Sequence, residues 1–337
     1  MKAVGYLQSL PVDHPEALLD LDLPAPTPGP LDLLVRVSAV SVNPVDTKVR
    51  RNRAPQPGQP EVLGWDAVGT VQAVGAAVQG FAVGDRVWYA GAINRPGSNA
   101  ELQAVDHRIV SLAPRSLSDA EAAGLPLTAI TAWELLFDRL GVPEGGGAGQ
   151  TLLVTGAAGG VGSILVQLAR QLTQLRVVGT ASRPETQAWV RKLGAHAVVD
   201  HGQPLRPQLV AGGIAEAHYI ASLTHSDQHW AQLVDLAAPQ GRIGLIDDPA
   251  TPLDVMALKR KALSLHWELM FTRSLFGTPD IAEQGKLLAR VAQLIDASRL
   301  RSTVSEHFSP INAANLRRAH ALLESGRMRG KLVLSGF

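Results

Sequence analysis

Cysteine is absent from the 337 residues, and this excludes several kinds of chemistry at once. A chain without thiols forms no disulfide bond, has no thiolate nucleophile and offers no thiolate to a metal ion. Aromatic residues are scarce, at 4%, and no uninterrupted apolar run reaches the length that spans a bilayer. Neither sign of charge is in excess, because 30 Asp and Glu balance 31 Lys and Arg. We therefore expect neither a nucleic-acid nor a membrane partner.

The N-terminal segment differs from a secretory signal. Pro11, Asp13 and His14 interrupt the stretch where a signal peptide needs a continuous apolar core, so we expect a cytoplasmic protein. The composition, 46% hydrophobic and 18% charged, is typical of a soluble globular protein. Its length is sufficient for two domains, each with a core of its own.

The first third of the chain predicts a β-rich domain. Apolar and polar residues alternate there in short segments that Gly and Pro separate, a pattern typical of strands. The predicted strands are Lys2–Leu7, Leu33–Val42, Ala67–Val74, Asp85–Tyr89 and Ala100–Val105. No helix of useful length is predicted before residue 117, after which Ser118 and Glu121 have the spacing of a helix-capping box. We expect a small, irregular β-barrel.

From residue 151 onward, strands alternate with helices, which is typical of a mainly parallel sheet covered on both faces. The predicted strands are Thr151–Thr155, Arg176–Thr180, Ala197–Asp200, His218–Ser222, Arg242–Ile246 and Leu263–Trp267. Six strands of this kind match a dinucleotide-binding sheet. After residue 270, two helical stretches, about 280–297 and 312–325, precede a final strand at Lys331–Leu334. We expect this last part to pack on the β-domain.

The most informative segment is a glycine-rich turn between a strand and a helix, Gly156-Ala-Ala-Gly-Gly-Val-Gly162. A dinucleotide pyrophosphate has to approach the backbone closely, and the N–H groups and dipole of a helix N-terminus stabilise its charge. Gly159 would permit this approach, and Gly162 would let helix and strand pack tightly. Ala157 stands where the usual pattern begins with glycine, so the pattern is incomplete. A glycine-rich turn without a ligand is the alternative.

The end of the second strand indicates which cofactor binds. NAD sites usually carry Asp or Glu there, to bind the ribose 2′-hydroxyl. Here no acid precedes Glu185, and Ser182 and Arg183 offer a hydroxyl and a guanidinium, which suit a 2′-phosphate. NADPH is therefore the predicted cofactor, with a solvated loop cation as the alternative role of Arg183. The predicted cofactor-binding residues are Thr155, Ala158, Gly159, Gly160, Val161, Ser182, Arg183 and Ile246.

Five motifs occur in one order along the chain: Ser41-Val-Asn-Pro-Val-Asp46, Leu63-Gly-Trp-Asp-Ala-Val-Gly69, Gly84-Asp-Arg-Val87, Leu125-Pro-Leu-Thr-Ala-Ile-Thr-Ala-Trp133 and Ala157-Ala-Gly-Gly-Val-Gly162. Together they resemble the medium-chain dehydrogenase/reductase superfamily, in its quinone oxidoreductase-like branch. Within that branch the chain is most similar to the zinc-type alcohol dehydrogenase-like proteins. The resemblance spans essentially the whole chain. It implies an α/β protein in which a GroES-like β-barrel catalytic domain, residues 1–125 and 271–337, flanks a Rossmann NADP-binding domain with a doubly wound parallel sheet, residues 126–270.

The chain departs from its zinc-using relatives at the metal ligands. Those relatives carry a Gly-His-Glu stretch that supplies catalytic ligands, and the matching stretch here is Gly64-Trp65-Asp66. An indole cannot ligate zinc. The first cysteine ligand falls in the region Asn43–Asp46, which has none, and the short loop Tyr89–Ser98 replaces the run of four cysteines that binds their structural zinc. We therefore expect no metal site.

One competing metal signal is present. His225 and His229 stand four residues apart and could chelate a metal from one face of a helix. The segment lacks the second-position Glu of a metalloprotease and lies where a loop meets a helix. Surface or cofactor-edge histidines are the alternative.

Without zinc, hydrogen-bond donors have to stabilise the negative oxygen that forms when a nicotinamide delivers its hydride. The resemblance implies that Asn43 lies near the nicotinamide and the acceptor. Asp46, Tyr89 and Thr131 are further catalytic candidates at the same cleft, and a structural hydrogen bond is the alternative for each. Neutral donors stabilise an alkoxide less than a cation does, so acceptors that delocalise charge fit better than simple ketones.

The sequence thus predicts an NADPH-dependent, zinc-independent oxidoreductase that reduces quinones or α,β-unsaturated carbonyls. Two other functions stay open: a non-catalytic NADPH-binding redox sensor or partner-binding module, and an alcohol dehydrogenase. The last strand of the sheet, Leu263–Glu268, alternates apolar and polar residues and has a free edge. We expect a homodimer through this edge, as relatives commonly form. The alternative is a monomer in which Phe271–Phe276 folds back over the strand.

Overall fold

The computed structural model describes residues 1–337, which form sixteen strands and ten α-helices. The strands are β1 (Lys2–Tyr6), β2 (Leu19–Asp22), β3 (Asp32–Val42), β4 (Glu61–Val62), β5 (Ala67–Val74), β6 (Arg86–Tyr89), β7 (Leu102–Asp106), β8 (Val110–Leu112), β9 (Thr151–Val154), β10 (Arg176–Thr180), β11 (Ala197–Val199), β12 (Ala217–Ser222), β13 (Ala237–Leu245), β14 (Ser264–Trp267), β15 (Val304–Phe308) and β16 (Lys331–Ser335). The helices are α1 (Pro44–Asn52), α2 (Asp119–Ala123), α3 (Pro126–Trp133), α4 (Gly160–Leu172), α5 (Pro184–Lys192), α6 (Leu205–Ala211), α7 (Ser226–Leu236), α8 (Thr272–Phe276), α9 (Glu283–Asp296) and α10 (Ala313–Glu324). A π-helical segment, Glu134–Arg139, follows α3. None of the helices combines the length and the apolar composition that crossing a membrane requires.

The chain divides into two compact units. The first unit consists of Met1–Ile130 and Phe271–Phe337, and the second unit of Thr131–Met270. In the first unit β16 pairs antiparallel with β3, so that Leu332 lies opposite Val42. The first unit is therefore assembled from two separate segments of the chain, whereas the second unit is contiguous.

The second unit is built on a six-stranded sheet with the order β11-β10-β9-β12-β13-β14, in which every neighbouring pair is parallel. The chain proceeds from β9 outward in one direction, and then from β12 outward in the other. This is a doubly wound sheet, in which ligands bind at the carboxyl ends of the strands beside the point of reversal. The six strands overlap the predicted ones, although β13 begins at Ala237 and not at Arg242, and the predicted α/β class is confirmed.

Buried aliphatic side chains explain why these segments form central strands. Leu153, Ile220 and Ile243 are fully buried, and they share a core with Trp230 and Leu233 of α7. Strands of a parallel sheet are covered on both faces, and their sequences are therefore apolar runs without alternation. Full burial of one such side chain contributes about 1.5–3 kcal/mol. This core holds the carboxyl ends of the strands in fixed positions.

The first unit contains a mainly antiparallel sheet with the order β15-β16-β3-β5-β6-β8, in which β7 also pairs with β3. A second, smaller sheet has the order β2-β1-β4. The register between β3 and β5 shifts twice, and such irregularities bend a strand and let a sheet curve. The predicted β-rich character of this region is confirmed.

The prediction that no helix occurs before residue 117 is wrong, because α1 occupies Pro44–Asn52. Asn43 is its N-cap residue, and Pro44 fits the first helical position, where no N–H donor is needed. Asp46 completes the start of the helix, since its Oδ2 accepts a hydrogen bond from Asn43 N at 2.7 Å. These three residues carry a helix-start signal that the surrounding strand-like alternation obscures.

The sequence also fails to predict four short strands, β2, β4, β8 and β15. They contain between two and five residues each, and most mix polar with apolar side chains. Such segments become strands through pairing with a longer neighbour rather than through their own pattern. The capping box at Ser118 and Glu121 is present as predicted, with Ser118 Oγ and N both bonded to the Glu121 carboxylate.

Candidate active site

The glycine-rich turn after β9 has the shape that a phosphate-binding loop needs. Gly156 has a left-handed backbone, with φ of 61°, and its N–H donates to Thr180 Oγ1 at 3.2 Å. Ala157 is fully buried, and its methyl group lies against β10, where a Cβ added to Gly179 would be only 2.8 Å from it. The alanine that breaks the usual glycine pattern therefore points into the core and does not obstruct the outer face of the turn.

The N-terminus of α4 follows directly, with Gly159 as its N-cap residue. The first N–H groups of a helix have no intrahelical partner, so those of Gly160 and Val161 are placed to meet an anion. A Cβ added to Gly159 would meet only Gly156 O, at 3.4 Å. A Cβ on Gly162 would lie 2.6 Å from Ala157 Cα. Gly159 thus leaves an open approach to the backbone, while Gly162 permits close packing of α4 on the turn that follows β9.

The end of β10, the strand beside β9, contributes two polar side chains at the same edge of the sheet. Ser182 is exposed just after β10, and Arg183 is the N-cap residue of α5. The Arg183 guanidinium contacts the Glu185 carboxylate, with Nε 2.8 Å from Oε1, and the two side chains are 39% and 57% exposed. An exposed pair of this kind stabilises the protein by about 0–1 kcal/mol, so exchanging the carboxylate for a phosphate costs little.

His201 is a residue at this edge that the sequence reasoning missed. It follows β11, which lies parallel to β10, so the carboxyl ends of the two strands are adjacent. His201 packs edge-on against His229, with ring centroids 6.1 Å apart. Burial lowers the pKa of both imidazoles. The signal that could have found it is the spacing of parallel strands, which brings their ends together.

His225 and His229 are close enough to interact electrostatically, and both also interact with His201. His225 has a left-handed backbone at the start of α7, and its Nδ1 is 2.7 Å from Thr224 Oγ1. His229 instead lies beside His201. No set of three or more His, Cys, Asp or Glu side chains has the arrangement of a metal site.

The remaining candidates of the second unit lie at strand ends and in α3. Thr155 is buried after β9, and its Oγ1 accepts a hydrogen bond from Leu223 N at 3.0 Å. Ile246 follows β13 and is half-buried. Thr131, at the start of the unit, is 5% exposed. The structure therefore gives Thr155 a structural role at the turn, which is compatible with a position beside a cofactor.

In the first unit the structure brings together Asn43, Asp66 and Lys331. Asn43 Nδ2 donates to Asp66 Oδ2 at 2.8 Å. Lys331 Nζ donates to Asp66 Oδ2 at 3.2 Å and to Val42 O at 3.1 Å, and it makes a short hydrogen bond to Asn43 Oδ1. Asp66 Oδ1 accepts from Leu127 N at 2.8 Å. We call Asn43, Asp66 and Lys331 the amide–ammonium cluster.

Strand pairing explains this convergence. Asn43 directly follows β3 and Lys331 begins β16, and these strands pair with Leu332 opposite Val42. Asp66 immediately precedes β5, which pairs with the same stretch of β3, and its carbonyl accepts from Ser41 N at 3.2 Å. The three side chains are at most 3% exposed. Lys331 was not predicted, because a lysine that begins an apolar strand is normally expected to reach solvent.

Asp46 and Tyr89 lie in the same unit and differ in what they can do. Asp46 is 1% exposed, Oδ2 accepts from Asn43 N, and Oδ1 has no hydrogen-bond partner. Burial raises its pKa to about 7, so it can hold a proton near neutrality. Tyr89 is fully buried, its hydroxyl has no partner, and burial raises its pKa above the usual value. Proton transfer near neutral pH therefore favours Asp46 over Tyr89.

Trp65 occupies the position of the expected zinc-ligating histidine. Its side chain is 1% exposed and its Nε1 donates to Ala92 O at 3.2 Å. Its ring contacts Phe271 edge-on, with centroids 6.0 Å apart. The indole is part of the apolar core of this unit.

Comparison with known families and proteins relates this arrangement to others. Residues 29–115 match the alcohol dehydrogenase GroES-like domain, and residues 193–334 match a family described as zinc-binding dehydrogenase. A zinc-type alcohol dehydrogenase-like protein of Staphylococcus aureus is 38% identical over 337 residues, covering 99% of this chain and 100% of that protein. A quinone oxidoreductase of Pseudomonas aeruginosa is 31% identical over 328 residues, covering 95% and 96% of the two chains.

Solved structures give the same result. A crystal structure described as a zinc-dependent alcohol dehydrogenase protein from Rhizobium etli is 56% identical, with a TM-score of 0.96 and coverage of 100% of this chain and 98% of the other. A mycobacterial protein in complex with NADPH is 27% identical, with a TM-score of 0.84 and coverage of 99% and 100%. Because these likenesses extend over both units, they confirm the predicted combination of a GroES-like domain with a Rossmann-type parallel sheet.

Proposed function

The chain is an oxidoreductase of the medium-chain dehydrogenase/reductase superfamily, and on this premise we propose that it reduces quinones or α,β-unsaturated carbonyls with NADPH, by hydride transfer and without zinc. The observation that carries the proposal is the amide–ammonium cluster. In the two stretches where zinc-using relatives carry ligands, this chain has a neutral amide, Asn43, and a carboxylate, Asp66, and Lys331 of β16 adds a buried cation beside them. Such a site offers hydrogen bonds to a developing negative oxygen instead of a Lewis acid.

Zinc does not fit these residues. Trp65 has only an N–H donor to offer, and that donor is already bonded to Ala92 O. Both oxygens of Asp66 accept hydrogen bonds, from Leu127 N on one side and from Asn43 and Lys331 on the other. The Lys331 ammonium would also repel a divalent cation at the same carboxylate. A zinc site needs three or four converging N, S or O ligands, and Trp65 and Asp66 supply none that is unengaged.

A dinucleotide fits the turn after β9. The open approach at Gly159 and the N–H groups of Gly160 and Val161 suit a pyrophosphate. Ser182 and Arg183 suit a 2′-phosphate, because the end of β10 carries no acid that would bind a ribose 2′-hydroxyl and repel a phosphate. The NADPH found with the mycobacterial relative supports the same choice.

The residues of this chain have distinct tasks in the proposed reaction. The bound nicotinamide supplies the hydride. Asn43 presents the Nδ2 hydrogen that is not bonded to Asp66 to the acceptor oxygen, while Asp46 can hold a proton at neutral pH, since its pKa is about 7. A neutral amide stabilises an alkoxide less than a metal ion does. Acceptors that spread their negative charge over several atoms, as quinones and enones do, need less stabilisation and therefore fit this site.

A turnover assay on a panel of acceptors tests the proposal. The purified protein is dialysed against a chelator, its zinc content is measured, and NADPH oxidation is followed with quinones, enones, aldehydes and simple ketones. We expect turnover of quinones or enones that survives chelation. Alcohol oxidation that requires about one zinc per chain would contradict it. Tight NADPH binding without turnover of any acceptor would favour the redox sensor instead.

A further inference from the structure

Lys331 is bonded in the way that a charged ammonium requires. Its Nζ has three hydrogen-bond acceptors within the protein: Val42 O, Asn43 Oδ1 and Asp66 Oδ2. An ammonium has three N–H donors and no acceptor, so three acceptors satisfy it completely. A neutral amine would leave a lone pair directed at one of these oxygens. The Lys331 side chain is 3% exposed and that of Asp66 is fully buried. Water therefore does not screen the charge of the ammonium.

The same contacts determine which way the Asn43 amide faces. The amide oxygen has to point to Lys331, because an ammonium only donates, and the amide nitrogen has to point to Asp66, because a carboxylate only accepts. Asn43 Nδ2 donates one hydrogen to Asp66 Oδ2, and the second hydrogen of this amide has no acceptor in the structure. A buried N–H without a partner is costly, and a ligand oxygen would satisfy it.

We propose that Lys331 is a positioning residue of the acceptor site: its ammonium holds the Asn43 amide in one orientation and polarises it, so that the remaining Nδ2 hydrogen becomes a strong donor to the substrate oxygen. This inference rests on the proposed function, since it concerns the same site. A charged donor at the amide oxygen draws electron density from the nitrogen and strengthens the N–H as a donor, and the effect is large where water is absent. The chain thereby increases the stabilising power of a neutral amide without placing a cation on the substrate.

A purely structural role is the competing interpretation of Lys331. In that case the ammonium only neutralises the buried Asp66, and its loss would lower stability without altering the amide. The two roles differ in what happens to Asn43 when the charge is removed. Lys331→Met keeps the side chain as far as the Cε position and removes only the ammonium. Lys261→Met is the matched control, because Lys261 Nζ also donates to three oxygens, those of Val234, Asp235 and Ala237, but lies in the second unit.

The first measurement reads the amide directly. The chain has six asparagines, so 15N labelling of asparagine side chains gives a simple spectrum, and Asn43→Ala identifies the resonance of interest. We expect the Asn43 Nδ2 resonance to lie downfield of the others in the unmodified protein and to move upfield in Lys331→Met. Lys261→Met should leave it in place. An Asn43 resonance that is the same with and without the Lys331 ammonium would overturn the proposal.

The second measurement is kinetic. With a quinone or enone acceptor, Lys331→Met should lower kcat by about tenfold to a hundredfold, because it weakens one donor to the developing oxyanion without deleting it. KM for NADPH should change by less than about twofold, since the cofactor contacts are in the other unit. In Lys331→Ala, propylammonium replaces the atoms removed and should restore part of kcat, whereas 1-propanol, of the same length and uncharged, should not. An unchanged kcat, or equal rescue by both additives, would contradict a role for the charge.

Removing Lys331 leaves Asp66 without its counter-ion, so the single variants could unfold. Lys331→Met combined with Asp66→Asn removes both charges, and we expect it to restore the melting temperature without restoring either kcat or the position of the Asn43 resonance. Recovery of kcat in this double variant would show that the ammonium acts only on stability. If the unmodified protein turns over no acceptor, the proposed function fails, while the 15N measurement still decides whether Lys331 polarises Asn43.

Discussion

Burial raises the pKa of Asp46 to about 7, while an aspartate in an unfolded chain has a pKa of about 3.9. The folded protein therefore binds more protons than the unfolded chain between these two values. Linkage then requires the free energy of unfolding to fall as pH rises from about 4 through 7. The contribution of Asp46 to stability is present in full below pH 4 and is lost once the carboxyl ionises.

Asp46→Asn should remove this dependence, because asparagine stays neutral and can still accept a hydrogen bond from Asn43 N. We expect the variant to gain stability relative to the unmodified protein as pH rises, by about 1 kcal/mol or more between pH 5 and 8. Urea unfolding at the two pH values measures the difference. Asp22→Asn, at an exposed position of β2, is the control. A pH slope that is equal in Asp46→Asn and the unmodified protein would contradict the assignment.

Arg183 allows a test of cofactor choice at the level of one side chain. Arg183→Ala should weaken NADPH binding by about tenfold to a hundredfold, since a charge-assisted hydrogen bond is worth roughly 1.5–3 kcal/mol. NADH has no 2′-phosphate, so its dissociation constant should hardly change. Titration calorimetry with both cofactors gives the comparison, and Arg191→Ala, on an exposed site of α5, is the matched control. Equal weakening of both cofactors would remove Arg183 from the 2′-phosphate site.

At the scale of the element, Gly159 and Gly162 have different roles in the strand–turn–helix unit formed by β9 and α4. A methyl group on Gly159 would meet only Gly156 O at 3.4 Å, so the protein tolerates it, but the methyl would occupy the approach of a pyrophosphate. We expect Gly159→Ala to keep its melting temperature within about 2 °C. NADPH binding should weaken by about tenfold or more. Thermal unfolding and cofactor titration on the same sample test both parts, and unimpaired NADPH affinity would contradict the placement of the pyrophosphate.

Gly162→Ala is the counterpart, because its Cβ would lie 2.6 Å from two backbone atoms, Ala157 Cα and Gly156 O. Backbone cannot rotate away as a side chain can, so α4 and the turn after β9 would have to separate. We expect a loss of about 1–3 kcal/mol in the free energy of unfolding, measured without cofactor. A variant as stable as the unmodified protein would show that α4 is not packed so closely on the turn after β9.

The elements of the second unit are predictable from sequence for a physical reason. Strands such as Thr151–Val154 are buried on both faces, so their apolar character is continuous, and the glycine turn reports the helix that follows. The helix α1 is not predictable in this way. Its start depends on three residues, Asn43, Pro44 and Asp46, which lie inside a region of strand-like alternation.

Some residues of the candidate site could not be predicted from the sequence, because they come together only through contacts between distant segments of the chain. Asn43 was accessible through a local motif. Lys331 was not, because its partners Asn43 and Asp66 lie 288 and 265 positions away, and only the pairing of β16 with β3 brings them together. His201 was missed in the same way, since its significance depends on the order of β10 and β11 in the sheet.

For the whole molecule, the free edge of the second unit's sheet bears on assembly. β14 is the edge strand, and Glu268 N donates inward to Leu245 O. The backbone N–H and C=O groups of successive residues in a strand point alternately toward its two sides. Those of Leu265 and Trp267 therefore point outward, away from β13. Trp267 and Leu269 are also 54% and 53% exposed. An edge with unpaired backbone groups and exposed apolar side chains favours pairing with a second copy about a twofold axis.

We therefore expect light scattering to report twice the chain mass of 35.7 kDa at micromolar concentration. Trp267→Lys should shift the protein toward the monomer, because a charge at an edge strand opposes pairing. Val255→Lys, at another exposed apolar position of the second unit, should leave the mass unchanged. A monomer mass for the unmodified protein would exclude this dimer and favour the shielding of β14 by its own chain.

The assembly of the first unit from two separate segments has a consequence for the protein on the ribosome. All of the second unit, Thr131–Met270, is synthesised before β16 exists, and contiguous units of this kind fold as soon as they emerge. Until Lys331 is translated, β3 has no β16 beside it and Asp66 has no ammonium for a partner. Vectorial synthesis thus completes the second unit first, and the nascent chain acquires the amide–ammonium cluster only when its last strand pairs with a strand made 288 positions earlier.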